Sequence, residues 1–244
     1  MTSERLDRIL AGTGRYSRAE ARKAVRAGRV TAGGETVLNP ETRVSRESDI
    51  RVDGEPVDTA PFTYWMLHKP AGYVSSSEDE RLPSVLRLLP DPARKRGVFC
   101  VGRLDADVTG LLILTDDGAY AHRVTSPRSS VEKTYEVTLD TPVRREDVTR
   151  LAEGAVKSDG QIYRPARLEP DENDPCRARI TVTEGRFHEV KNLMAICGHK
   201  VLSMRRLSIG ALRLDPALEP GQFRELTEAE RNRVFLPCEN DGNH

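Results

Sequence analysis

The sequence predicts an α+β protein of two domains. A small N-terminal domain of helices and short strands covers residues 1–59. A larger domain over 62–236 is built on a mixed, mainly antiparallel sheet flanked by helices. Three observations carry that expectation. Residues 3–28 place apolar side chains at helical spacing. The strands that follow are short and broken by glycine turns. Beyond residue 62, β-forming runs are joined by hairpin-style turns, without the regular strand–helix alternation of a parallel sheet.

In chain order, the first helix opens after Ser3, with Leu6, Ile9 and Leu10 on one face, and breaks at Gly12–Gly14. Ser17 is a natural N-cap. Glu20, three residues on, completes a capping box, so a second helix runs from Arg18 to a stop at Gly28. Ala21, Ala24 and Val25 mark its buried face. Arg18, Arg22 and Arg26 recur every four residues on another face and align three guanidinium groups. Short strands are expected at 29–31, 35–38 and 49–53, separated or ended by Gly33-Gly34 and Asp53-Gly54. Residues 54–61 read as a linker.

In the larger domain the strand candidates are Tyr64–His68, Leu111–Thr115, Thr134–Leu139, Ala178–Thr183 and Leu207–Leu212. Helices are expected over Leu82–Leu89, Arg145–Glu153, Glu189–Cys197 and Glu228–Arg233. The polar residues 237–244 read as a disordered tail.

Composition narrows the function classes. With 31% charged and 37% hydrophobic residues, no apolar run approaches the roughly 20 residues of a membrane helix, so no membrane partner is expected. The N-terminus lacks the apolar core of a signal peptide, and a cytoplasmic location is expected. Cys100, Cys176, Cys197 and Cys238 show neither CxxC pairing nor zinc spacing, and read as isolated reduced thiols. Basic and acidic side chains balance at 38 each, but unevenly along the chain. Residues 1–34 hold eight basic and three acidic side chains, and residues 35–59 hold three and seven. Such a polarised module presents a positive side that steers toward phosphate.

The segments RLDRIL and SRAEARKAVRAGRVTAGGE resemble the S4 RNA-binding domain. The resemblance implies RNA contacts from Arg18, Arg22, Lys23, Arg26 and Arg29. Guanidinium groups pair bidentately with phosphate, and such contacts position a protein on RNA without reading its sequence.

The most specific motif is GRLDADVTGLLILTDDG, residues 102–118. LHKPAGYVSS precedes it at 67–76. HRVTSPRSSVEKTYEV follows at 122–137, and EGRFHEVKNLM at 184–194. In this order the motifs resemble the RsuA-type pseudouridine synthases of ribosomal RNA, in wording closer to the small-subunit enzymes. The resemblance implies a synthase domain behind the S4 domain, no cofactor and no metal. It also implies a monomer acting on 16S rRNA or a small-subunit assembly intermediate.

It assigns roles residue by residue. Asp105 matches the family nucleophile, Tyr135 the family tyrosine, and Lys191 the basic residue of the third motif. Isomerising uridine needs a carboxylate to act at or near C1′, an aromatic ring to hold the released base, and a cation to hold the carboxylate in place. Arg103 and Thr109 are expected to shape the loop around Asp105, which looks mobile. Arg186, His188, Arg205 and Arg206 are expected to bind the substrate and its backbone. Two positions depart from the family pattern: Glu189 stands where Gln is usual, and Asn192 where a second basic residue is usual. Both reduce positive charge near the site.

Three other functions compete. The same pocket serves equally for a uridine of 23S rRNA. A non-catalytic S4-type RNA-binding or assembly factor would have no need of the Asp105–Tyr135–Lys191 set. The Asp105/Asp107 pair allows a Mg²⁺-dependent phosphoryl-transfer reading, but no GxxxxGK[ST] loop accompanies it.

Overall fold

The computed structural model describes residues 3–76 and 81–238. It divides into two compact units, residues 1–63 with 89–98, and residues 64–88 with 99–244. The segment 89–98, expected in the larger domain, therefore packs with the first unit. Its helical turn Asp91–Lys95 is followed by Arg96, whose Nη2 donates to the carbonyls of Ala60 (3.2 Å) and Pro61 (3.0 Å).

In the first unit, helix α1 is Leu6–Gly12 and α2 is Arg18–Arg26. The capping box forms as read: the Glu20 N–H donates to Ser17 Oγ (3.2 Å), and the Ser17 N–H to the Glu20 carboxylate (2.7 Å). Ala21, Ala24 and Val25 pack with Leu6, Ile9 and Leu10 from α1 and with Val30, Ile50 and Val52 from the strands. The chain before α1 is not helical. Ser3–Arg5 pairs antiparallel with Arg43–Ser45, a long-range contact that overrides local preference. The remaining short strands form a sheet in the order Glu35–Thr36, Val30–Ala32, Ile50–Val52, Glu55–Pro56. The last of these occupies the expected linker. Asp53 (φ 53°) and Gly54 (φ 83°) make a tight hairpin turn with two positive φ angles, which folds the chain straight back.

The second unit holds the large sheet. Its main strands in chain order are β1 (Tyr64–Lys69), β2 (Thr109–Thr115), β3 (Lys133–Leu139), β4 (Arg167–Pro170), β5 (Arg177–Val182), β6 (Val201–Ile209) and β7 (Phe223–Glu225). They lie in the order β4-β5-β3-β6-β2-β1-β7. Every pair along that path is antiparallel except β6 with β2, so the expected mixed, mainly antiparallel sheet is present. β2 is buried along nearly its whole length, whereas β3 alternates strictly between buried and half-buried positions.

Helices α3 (Gly118–Thr125), α4 (Arg145–Ala152), α5 (Glu189–Ile196) and α6 (Glu228–Arg233) accompany the sheet. α3 supplies Tyr120, Ala121 and Val124 to a core shared with Met66, Leu111, Ile113 and Ile209. The helix expected at 82–89 shrinks to a single 3₁₀ turn, Val85–Leu88, between Pro83 and Pro90. β6 begins at Val201, six residues before the expected strand. Of the tail expected to be disordered, 239–244 lie outside the described residues. Cys238 is tied down, its N–H donating to the Glu132 carboxylate (2.8 Å) and its thiol to the Gly210 carbonyl (3.0 Å). Among the described residues no helix is long and apolar enough to cross a membrane.

Candidate active site

The site starts from the two-residue period of β3. Lys133 and Tyr135 are two apart, so both side chains leave the same face of the sheet, and both are buried. On the neighbouring strand Arg206 pairs with Tyr135, next to an irregularity in the ladder. On its other side Arg206 pairs with Gly110 of β2, the parallel contact of the sheet. Gly110 has φ +106°, and a Cβ there would lie 2.2 Å from the Arg206 carbonyl oxygen, so only glycine lets β2 approach. Arg206 Nε donates to the Leu111 carbonyl at 2.7 Å.

Asp105 sits in the loop entering β2. That loop looks mobile in the sequence, but the structure clamps it. The fully buried Lys69 ammonium donates to the carbonyls of Pro70 (3.0 Å), Ala106 (3.3 Å) and Val108 (2.8 Å). Burial lowers Lys69 to about 8, against the opposing pull of Asp107 and Asp105. Ser75 Oγ donates to the Leu104 carbonyl (3.0 Å) and accepts its N–H (3.1 Å).

The third motif closes on Asp105 from another direction. Lys191 Nζ, on α5, lies 3.1 Å from Asp105 Oδ2, and His188 Nε2 lies 3.3 Å from the same oxygen. Lys191 also bridges to both oxygens of Asp107 (2.9 and 3.0 Å). Burial pulls Lys191 down, but the hydrogen bonds and charges of Asp107 and Asp105 outweigh it and hold the ammonium above the ordinary lysine value. His188 takes a left-handed backbone conformation (φ 53°, ψ 27°) at the start of α5, and its ring stacks on Phe187. For a residue with a Cβ that conformation is uncommon and is held by its surroundings.

The two departures from the family pattern both serve the local fold. The buried Glu189 carboxylate accepts the N–H groups of Gly185 (2.6 Å) and Arg186 (3.0 Å), closing the loop ahead of α5. Asn192 Nδ2 donates to Tyr163 Oη at 2.9 Å.

These elements enclose a cavity of about 110 Å³ lined by Asp105, Tyr135, Lys133, Arg206, Glu184 and Glu189 among others. Arg103, Arg186 and His188 line it too, while Lys191 meets it through Asp105. Arg205 and Thr109 lie elsewhere. Arg205 is adjacent to Arg206 on a strand, so its side chain leaves the opposite face and lines a separate groove with Glu136 and Arg177. Thr109 lies in the β2–β6 ladder opposite Arg205 and does not line the cavity. Asp107, which the sequence offers only as half of a D-x-D pair, bridges to Lys191, and Lys133, with no role expected from the sequence, lines the cavity. Their signals were the D-x-D spacing and the K-x-Y spacing on a strand.

In the first unit, the basic residues divide. Arg18 (3.6 Å) and Arg22 (2.9 Å) face the fully buried Asp7 carboxylate, and Arg29 pairs with Asp53. Lys23 and Arg26 flank a shallow depression with Arg22 and make no ion pair among the described residues. Within the described residues no group of three or more His, Cys, Asp or Glu side chains converges as a metal site.

Comparison with known proteins agrees with this geometry. The family model for RNA pseudouridylate synthase matches residues 63–196, and the S4 domain model matches residues 4–50. The chain is 42% identical, over 96% of its length and 99% of the relative's, to an uncharacterised RNA pseudouridine synthase of Bacillus subtilis. The same identity and coverage hold for the ribosomal small subunit pseudouridine synthase A of Yersinia pestis. The protein of that name in Escherichia coli K12 is 42% identical over 93% of this chain and 97% of its own. A crystal structure of a pseudouridylate synthase superposes with a TM-score of 0.66 at 37% identity, covering 95% of this chain and 100% of the other. The chain belongs to the RNA pseudouridine synthase family, and it carries an S4 domain ahead of the synthase domain.

Proposed function

We propose that this protein isomerises one specific uridine of 16S ribosomal RNA to pseudouridine, as a cytoplasmic monomer, with Asp105 as nucleophile. The observation that carries the reading is the Asp105 carboxylate on the cavity wall, held by Lys191 and His188, with Tyr135 lining the same cavity. The small-subunit names of the relatives at 42% identity support the choice of RNA.

The chemistry follows from the residues. The target uridine leaves its stack and enters the cavity, at a cost of a few kcal/mol. Asp105 attacks at or near C1′ while the C1′–N1 bond breaks, and the bonding electrons stay with the uracil. The base turns against the Tyr135 ring and attacks C1′ through C5, which breaks the Asp105–C1′ bond and releases the carboxylate. C5 then loses one proton, with the Tyr135 phenol in its path, and N1 gains one. No electrons are exchanged. Lys191 and His188 hold the carboxylate in the attacking geometry. The first unit supplies RNA grip through Lys23 and Arg26, with Arg18, Arg22 and Arg29 offering the N–H groups their carboxylate partners leave over.

Tritium release tests the reading. Unmodified 16S and 23S transcripts carrying tritium at uridine C5 are incubated with the full chain. Release from 16S alone is expected. Release from 23S alone would move the activity to the large subunit. Release from neither, with RNA bound, would leave an RNA-binding factor.

A further inference from the structure

Resting on that reading, we propose that Lys133 is a further catalytic residue: its ammonium, with Nη2 of Arg206, donates to the uracil carbonyl oxygens and stabilises the negative charge left on the detached base. Lys133 is 7% exposed and Arg206 3% exposed, and both line the cavity. Lys133 Nζ and Arg206 Nη2 are each buried with no hydrogen-bond partner among the described residues. One orphaned buried donor is costly. Two on adjacent strands, facing one cavity, mark a place where an acceptor belongs. The nearby carboxylates are committed elsewhere. Glu184 accepts the Arg164 N–H (3.1 Å) and Arg186 Nε (3.0 Å), and Glu189 accepts the N–H groups of Gly185 and Arg186.

The position of Nζ fits the role. A Cβ built on Gly185, itself in the cavity wall, would lie 3.8 Å from it. Tyr135, two residues along the strand, supplies the ring that would face the same base. A cavity with an aromatic wall and two buried donors suits a planar, carbonyl-bearing base. When the C1′–N1 bond breaks, its electron pair spreads over the uracil onto O2 and O4. Donors fixed beforehand in a water-poor site stabilise such charge most where it develops.

The charge state of Lys133 gives the proposal a pH signature. Burial and the Arg206 charge lower it to about 8, and Glu189 opposes them. The charged and titratable groups that share its cavity wall are Arg206 on β6, Tyr135 on its own strand, Glu184 and Arg186 in the loop after β5, His188 and Glu189 at the start of α5, and Arg103 and Asp105 in the loop entering β2. Lys69, also lowered to about 8, donates only to backbone carbonyls and is unchanged by substitution at Lys133.

The test is single-turnover pseudouridine formation on a saturating 16S transcript by full-length wild type, Lys133→Met and Lys133→Arg. Lys133→Met is expected to slow the step by about a hundredfold, the usual effect of losing one such donor, with RNA affinity kept within about threefold. It is also expected to melt at or above the wild-type temperature, because a buried unpaired charge has been removed. The wild-type rate is expected to fall above about pH 8, and Lys133→Arg to shift that fall to higher pH. A Lys133→Met rate within about threefold of wild type would overturn the proposal, since about a hundredfold is predicted. So would a rate loss matched by a lower melting temperature, or an alkaline fall that Lys133→Arg leaves in place. A wild type inactive on both 16S and 23S transcripts would overturn the underlying reading instead.

Discussion

Replacing Lys191 with methionine removes the cation that Asp105 (3.1 Å) and Asp107 (2.9 Å) share. A hydrogen bond to a charged group is worth about 1.5–3 kcal/mol, and the partly exposed ammonium argues for the lower end. Loss of the Asp105 contact therefore costs about 1.5 kcal/mol, roughly tenfold in rate. The Asp107 carboxylate, no longer neutralised, repels the Asp105 carboxylate out of its attacking position at a comparable cost. The sum is about 3 kcal/mol, or roughly a hundredfold, in single-turnover tritium release. RNA affinity is expected to change by less than about threefold, because Lys191 is engaged by carboxylates and not left for phosphate. Adding Asp107→Asn to Lys191→Met should restore about tenfold, since the repulsion is then gone. A Lys191→Met enzyme within about threefold of wild type, against the hundredfold worked above, would refute the assignment of Lys191 as the positioning cation.

Other outcomes follow from particular contacts. Gly110→Ala drives a Cβ to 2.2 Å from the Arg206 carbonyl and should destabilise the second unit by more than about 4 kcal/mol in denaturant titration; a loss below about 1 kcal/mol would contradict the packing. Asp7→Asn removes the buried carboxylate that Arg5 and Arg22 share, leaving Arg5 only Glu41, and should cost about 1.5 kcal/mol in the first unit. Because Arg5 and Arg22 hold the Asp7 carboxyl far below its ordinary value, its stabilisation is complete above about pH 4 and is lost as pH falls through the folded value. The variant should therefore flatten the acid limb of the stability curve, and an unchanged limb would count against the pairing. Joint replacement of Lys23 and Arg26 by alanine should lower the salt slope of RNA binding by about 2, and an unchanged slope would remove them from the RNA contact.

What could be read in the sequence was mostly local or periodic. The Ser17–Glu20 box lies within four residues, and the alternation of β3 is printed in Lys133, Tyr135, Val137 and Leu139. The motif order placed Asp105, Lys191 and His188 on the same page, and the fold brings them within 3.3 Å. What escaped depends on partners distant in sequence. Ser3–Arg5 is a strand only because Arg43–Ser45 pairs with it. The clamp of Lys69 on the Asp105 loop spans nearly forty residues and has no local signature. α3 hid behind Asp116-Asp117-Gly118, which reads as a turn; the turn ends in Asp117, whose carboxylate accepts the Tyr120 N–H (3.0 Å) and starts a helix. The separation of Arg205 from Arg206 follows from strand periodicity, once β6 is known to begin at Val201. Glu189 and Asn192 look like losses of RNA grip in the sequence, yet both spend their polar atoms on the loop ahead of α5 and on Tyr163.

The central claim is tested most directly by mapping pseudouridine at nucleotide resolution in 16S rRNA, by carbodiimide labelling and primer extension, after treatment with wild type or Asp105→Asn. Naked and partly assembled RNA would both be used. One new stop with wild type, absent with Asp105→Asn although that variant still binds RNA, is the result predicted. The same stop at comparable strength with both proteins would contradict Asp105 as the nucleophile.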